Sequence, residues 1–281
     1  MNYYSLRKIK NNIALTFSFC MAAIGIFFLL YILFDVLRHG ISSIDIKLFT
    51  LDAAPPVPGI EGGLRHAFIG QLILTGVAAL IGVPLGILGG TFLAEYGRSS
   101  KIGRFISGLS DIAVSMPSII IGTFIYTILV KPMGGFNGWA GAIALAVIML
   151  PIVARTTEEM MRLVPWTRRE AAFALGAPYY KVIIKIVWPG AAAGIFTGVL
   201  LAIARVAGET APLLFTSFNN NFLTFDMSSP MPSLTVTIYQ YASSPFSEWV
   251  QLAWAASFII TAFILAINII GTQFIKRRYK D

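Results

Sequence analysis

Charge is scarce in this chain. Of 281 residues only 12% are Asp, Glu, Lys or Arg, while 57% are hydrophobic. Soluble domains carry roughly 25% charged residues, so this composition needs lipid over much of its surface. Cysteine is nearly absent. The single Cys20 excludes a disulfide framework and any cysteine-rich metal site, and within its apolar run it reads as a small core residue. The only histidines are His39 and His66, and H-E-x-x-H, G-x-S-x-G and G-x-x-x-x-G-K-[ST] are all missing. An intramembrane hydrolase would have neither nucleophile nor metal, so no catalytic residue, metal ligand or cofactor is assigned. Any ATP must be hydrolysed by another chain. His66, apart from other ligands, reads as an interfacial residue. The net charge of +8 raises nucleic acid as a partner, but the placement of the cations argues for orientation in a membrane instead.

What the chain has in quantity is long uncharged runs. A hydrocarbon core about 30 Å thick takes around 20 helical residues. Six stretches qualify: 11–34, 66–94, 112–130, 132–154, 186–204 (continuing past Arg205 toward Leu214) and 249–275. A seventh, 227–247, is rich in Ser, Thr and Pro and reads as part of an extramembrane loop. Basic residues precede the first span, yet its apolar run exceeds the roughly 7–15 residues of a signal segment, so it reads as a retained helix. Arg7, Lys8 and Lys10, then Arg98, Lys101 and Arg104, the six cations of 155–189 and the four after Ile275 all fall on one side. Sixteen there face four on the other: Arg38, Lys47, Arg65 and Lys131. That asymmetry places both termini in the cytosol. The expected fold is an all-α membrane protein, one domain over 1–281, with six transmembrane helices and a cytosolic loop, 155–189, between helices four and five.

Within this frame, prolines and glycines forbid regular helix in the external stretch D-A-A-P-P-V-P-G-I-E-G-G, and the many glycines of span two suit close helix packing or bending. Asp111 opens span three near the cytosolic face, hydrated or paired with Arg104, and Pro117 is expected to bend that span. In the cytosolic loop, Thr167 and Glu170 have capping-box spacing, Gly176 suits a left-handed corner, and Pro178 suits the first turn of a second helix that Pro189 ends. Ala171 and Ala172 leave a slim side on which a partner can settle. The alternative is a helical turn lying on the membrane, with Glu170 only a cap. In span five, Gly190, Gly194 and Gly198 recur every four residues, and Ala202 continues this packing row. By helical periodicity Arg205 and Glu209 extend the same stripe, with Arg205 roughly 22 Å along the axis from Gly190. An arginine there costs about 2.5–3.5 kcal/mol on insertion scales. Two readings stand: a self-neutralising pair that holds helices together, or an anion path with Arg205 supplying charge. Pro212 is expected to loosen the helix at G-E-T-A-P.

E-A-A-F-A-L-G, then nine residues and I-V-W-P, resembles the EAA signature of ATP-binding-cassette importer permeases, with Trp188 where that signature usually has leucine. A-R-V-A-G-E-T-A-P-L-L-F is similar to the A-type permeases of phosphate importers, as are G-G-L-R-H-A-F-I-G-Q-L, T-F-L-A-E-Y-G, M-P-S-I-I-I-G-T-F and Y-Q-Y-A-S-S-P-F. The resemblance spans residues 60–275. It implies a multi-pass subunit in a bacterial or archaeal cytoplasmic membrane, forming a heterodimer with a C-type permease. Its other implied partners are two ATPase subunits, which bind the ATP and Mg, and a phosphate-binding protein. It further implies that Glu170, Ala171, Ala172 and Gly176 form the coupling helix that docks on an ATPase, and that Arg205 and Glu209 line the substrate path. A permease for another oxyanion such as sulfate or molybdate is the alternative within this class. An ion-coupled secondary transporter using Arg205, Glu209 and Asp111 is the alternative outside it.

Overall fold

A computed structural model describes residues 3–57, 60–97 and 100–278, and every regular element among them is helical. Apolar runs of this length have little choice in lipid, where a segment must satisfy its own backbone N–H and C=O groups. Helix α1 (Tyr3–Ser42) leads through the short α2 (Lys47–Thr50) into α3 (Arg65–Glu95). Next come α4 (Lys101–Ser115), α5 (Ser118–Ile125) and α6 (Gly138–Arg162), then α7 (Trp166–Ala174), α8 (Tyr179–Val182) and α9 (Trp188–Ala207). After these follow α10 (Ala211–Thr216), α11 (Leu234–Ala242) and α12 (Ser247–Arg278). By length and apolarity α1, α3, α6, the stretch Tyr179–Ala207 and α12 can each cross a bilayer. Of the orienting cations, Arg98 and Lys280 lie outside the described residues.

The expected third span, 112–130, is a bent pair. Its second limb sets off at 105° to α4. Pro117 has no N–H to donate, and it holds Met116 extended at ψ 133°. The second limb is α5 continued by a π-wound stretch, Tyr126–Val130. Counted as one span, the pair restores the expected six. Three faces of α4 differ in kind: Gly103, Ser107 and Ser110 turn inward, Lys101, Arg104 and Asp111 are polar, and Ile102, Phe105, Leu109 and Ile112 are apolar and uncovered.

Helix α6 is the hub: 67% of its most apolar stretch is buried, against none of α1's. Beside it, α3 runs parallel. Gly82, Gly86 and Gly90 face Met149, Val153 and Thr157, and a Cβ added at Gly86 would lie 2.7 Å from that of Val153. Antiparallel on another face runs α9, whose Gly190, Gly194 and Gly198 oppose Val164, Met160 and Thr156. Lipid supplies no hydrophobic drive between helices, so van der Waals contact between closely approaching backbones holds both seams. Leu74, Leu145, Met149, Ala202 and Leu213 fill the space where the helices meet.

The segment expected as an extramembrane loop is better ordered than its composition suggests. Its α11 is buried with Leu48, Leu64 and Ala67, against Ala253, Ala255 and Ala256 of α12. Ser233 caps it, accepting from the Val236 N–H at 3.4 Å, and the Thr237 hydroxyl donates to the Ser233 carbonyl at 2.8 Å. The polar residues that argue against a helix here satisfy its own ends. Near its C-terminal end α1 meets α12, with Gly40 against Phe258 and His39 stacked on Trp254 at 4.9 Å between ring centres. Residues 7–34 of α1 are exposed in this chain, so Cys20 is exposed rather than a core residue.

Candidate functional site

The first candidate site is the break between α9 and α10. Pro212 cannot donate to the Gly208 carbonyl, and α9 stops at Ala207. The N–H groups of Gly208 and Glu209 fall back on the carbonyls of Arg205 and Val206 at 3.2 and 3.1 Å. The exposed groups are then stapled from outside. Gln71 of α3, buried, donates through Nε2 to the Ala207 carbonyl at 3.2 Å and to Thr75 Oγ1 at 3.1 Å. Its Oε1 accepts from the Leu234 N–H at 3.1 Å. Thr235 Oγ1 donates to the Glu209 carbonyl at 2.9 Å. One amide side chain therefore ties the end of α9 to α3 and to the start of α11. Sequence reasoning passed over Gln71, although an amide within an apolar span is a signal in itself. At the far end of α10 the chain turns through Phe218, left-handed at φ +57° and stacked on Phe136 at 5.0 Å.

Arg205 and Glu209 do meet, but not in the packing stripe. The row from Gly190 to Ala202 faces α6, whereas the Arg205 side chain is 55% exposed and that of Glu209 is 15% exposed. Helical periodicity cannot be extended to Glu209 because the helix ends two residues before it. Arg205 Nη2 lies 3.8 Å from Glu209 Oε1, too far for a hydrogen bond. The carboxylate lowers the cost of the arginine without occupying its donors, and the guanidinium opens outward from the chain.

The second candidate site is the hook between α6 and α9. Gly176 adopts φ +76°, a conformation that favours glycine, and so makes the corner. The capping box is not formed. Pro165 precedes the first turn, no side chain caps it, and Thr167 is already helical. Pro178 is the residue before α8 rather than within it. Pro189 does not end a helix either, since the winding widens to π over Ile183–Val187 and the Trp188 N–H reaches the Ile183 carbonyl. Trp188 donates its ring N–H to Thr91 Oγ1 at 3.1 Å. Glu170, Ala171 and Gly176 are exposed. Ala172 is buried among Met161, Val164 and Val182, so it cannot share a docking surface with Ala171.

Around the hook lie ion pairs that the sequence reading did not assemble. Glu95, at the end of α3, accepts from Arg169 at 2.8 Å and from the Tyr179 hydroxyl at 2.9 Å. Buried Glu158 pairs with Arg162 at 2.6 Å and Arg155 at 3.5 Å. Asp111 is exposed and lies 3.8 Å from Arg155, not against Arg104 as one expectation had it. His66, at the start of α3, is fully buried within the chain. Among the described residues no group of His, Cys, Asp or Glu could hold a metal.

The family of binding-protein-dependent transport system inner membrane components matches residues 82–280. The phosphate transport system permease protein PstA of Pasteurella multocida is 48% identical over 278 residues, covering 99% of each chain. That of Haemophilus influenzae is 48% identical over 272 residues, covering 97% of this chain and 96% of its own. Among solved structures, the fold is similar to an inward-facing MetNI methionine ABC transporter, with TM-score 0.64 and 19% identity over 76% of this chain and 95% of that one. It is also similar to a bacterial ABC transporter involved in alginate import, with TM-score 0.67 and 14% identity over 97% and 99%. At such identities the likeness is one of fold.

Proposed function

The chain belongs to the family of binding-protein-dependent transport system inner membrane components and, within it, to the PstA phosphate transport permeases, and from that premise we propose that it conducts inorganic phosphate inward as a subunit of an ATP-driven importer. A permease of this family works beside ATPase and permease subunits rather than as an enzyme itself. In the finer reading the second permease is C-type, two ATPase subunits bind ATP and Mg, and a phosphate-binding protein delivers the anion on the outer side. Both termini and the loop 155–189 lie in the cytosol, and Glu170, Ala171 and Gly176 meet an ATPase.

The observation that carries the anion path is the incompletely neutralised Arg205 beside a broken helix. Such breaks give a substrate backbone groups as well as charge. Hydrogen phosphate presents anionic oxygens to the guanidinium and a hydroxyl that can donate a hydrogen bond to the Glu209 carboxylate. A fully ionised sulfate has no such hydroxyl. The test is uptake of labelled phosphate by the assembled complex in proteoliposomes, with sulfate and molybdate as competitors. Phosphate uptake that stops when the ATPase is inactivated, and persists without a proton gradient, is the expected result. Uptake driven by the proton gradient alone, or selective for another oxyanion, overturns the reading.

A further inference from the structure

Most of the hook's charge is solvated, and Arg169 is its buried exception, with 9% of the side chain exposed against 2% for Glu95. Arg169 Nη2 donates to Glu95 Oε1 at 2.8 Å and to the Met161 carbonyl at 3.0 Å. The Tyr179 hydroxyl, at the start of α8, donates to Glu95 Oε2 at 2.9 Å, with the Glu95 carbonyl 3.3 Å away. One carboxylate and one guanidinium thus tie α7 to the cytosolic ends of α3, α6 and α8. Stability is a poor reason for this arrangement, since well-packed apolar residues usually do as well as a buried ion pair. A directional linkage between rigid helices is a better one. Beside it opens a cavity of about 410 Å³ lined by Ala94, Glu95, Arg162, Trp166, Arg169 and Tyr179.

We propose that Glu95, Arg169 and Tyr179 are positioning residues that make α3 follow the hook when an ATPase moves it. Because Gln71 of the same α3 holds the α9 break, that movement reaches the residues around Arg205. The inference rests on the importer reading. Its test uses the whole complex in proteoliposomes, with ATP hydrolysis and phosphate uptake measured together. Glu95→Gln and Arg169→Gln should retain their ATPase subunits and hydrolyse ATP, while phosphate moved per ATP falls about tenfold, within the usual range of coupling effects. The exchange Glu95→Arg with Arg169→Glu should recover part of that ratio. Tyr179→Phe, which removes one hydroxyl, should lower it less. If the charge variants do not assemble, Tyr179→Phe alone decides. A ratio equal to wild type in the assembled variants, with uptake and hydrolysis falling together, overturns the proposal. A wild-type complex that hydrolyses ATP without moving phosphate overturns the importer reading instead. Spin labels at Tyr96 and Leu175, in a Cys20→Ser background, then test the linkage independently. The distance distribution should broaden in Glu95→Gln, and an unchanged one overturns the linkage.

Discussion

Arg205 has donors to spare, and the consequence is measurable one residue at a time. If it only neutralises Glu209, each single change strands a charge, and Arg205→Gln with Glu209→Gln together should recover assembly and transport. If it attracts the anion, both singles assemble, Arg205→Gln loses phosphate uptake by about tenfold or more, equivalent to about 1.4 kcal/mol, and the double change does not rescue it. The second outcome is expected, because the 3.8 Å separation leaves the guanidinium without a hydrogen bond to its partner. Outside the spans, Asp52 gives a second residue-scale test. Arg65 donates to it at 2.6 and 3.1 Å and holds its carboxyl below the usual carboxylate range. A depressed folded-state value stabilises the fold above the unfolded value of about 3.9, and that contribution is lost as pH falls through the folded value. Melting in detergent should therefore show a steeper acid limb below about pH 4 for the native chain than for Asp52→Asn. The difference should be small because the pair is partly solvated. Equal limbs would remove the Asp52 contribution.

Between elements, the two glycine seams of α6 decide how closely the spans approach. Gly194→Leu would press against Met160 and force α9 away, at a cost of about 1–3 kcal/mol. Lower abundance or poor assembly is expected, with substrate affinity unchanged in whatever assembles. Wild-type levels would mean that the seam can open freely. The hook depends on one backbone angle. Gly176 at φ +76° has no heavy atom near a prospective Cβ, so Gly176→Val tests conformation without a clash. The strain of about 1–2 kcal/mol should swing α7 away from the orientation it has here. The chain should still insert but lose its ATPase subunits on purification, and normal co-purification would remove the docking assignment. Some of these elements were legible in sequence and others were not. Gly176 was readable because left-handed backbone has a residue preference. The capping box was not, because T-x-x-E spacing does not say which residue begins the helix, and Pro165 begins it two residues early.

At the scale of the molecule the open expectation is orientation. Leu175, at the tip of the hook and 89% exposed, is the natural reporter. In a Cys20→Ser background, Leu175→Cys should react with a membrane-impermeant maleimide only after the cells are opened. Ser228→Cys, exposed between α10 and α11, should react in intact cells. The reverse pattern would invert the cation-based topology.

The sequence by itself determined that this is a helical membrane protein, because hydrocarbon leaves long uncharged runs few other ways to satisfy their backbones. It also determined the break near Glu209, since proline removes a donor wherever it stands. It placed the row Gly190, Gly194 and Gly198, since helical periodicity is local. Only the tertiary structure decided what the row faces and where the stripe ends. It decided that Arg205 lies off the seam, that α11 is buried, and that Asp111 reaches Arg155. It alone joined Glu95 to Arg169, 74 positions away, and Gln71 to Leu234, 163 positions away. Those pairings depend on which helix ends arrive at the same place, and local patterns of charge and hydropathy do not encode it.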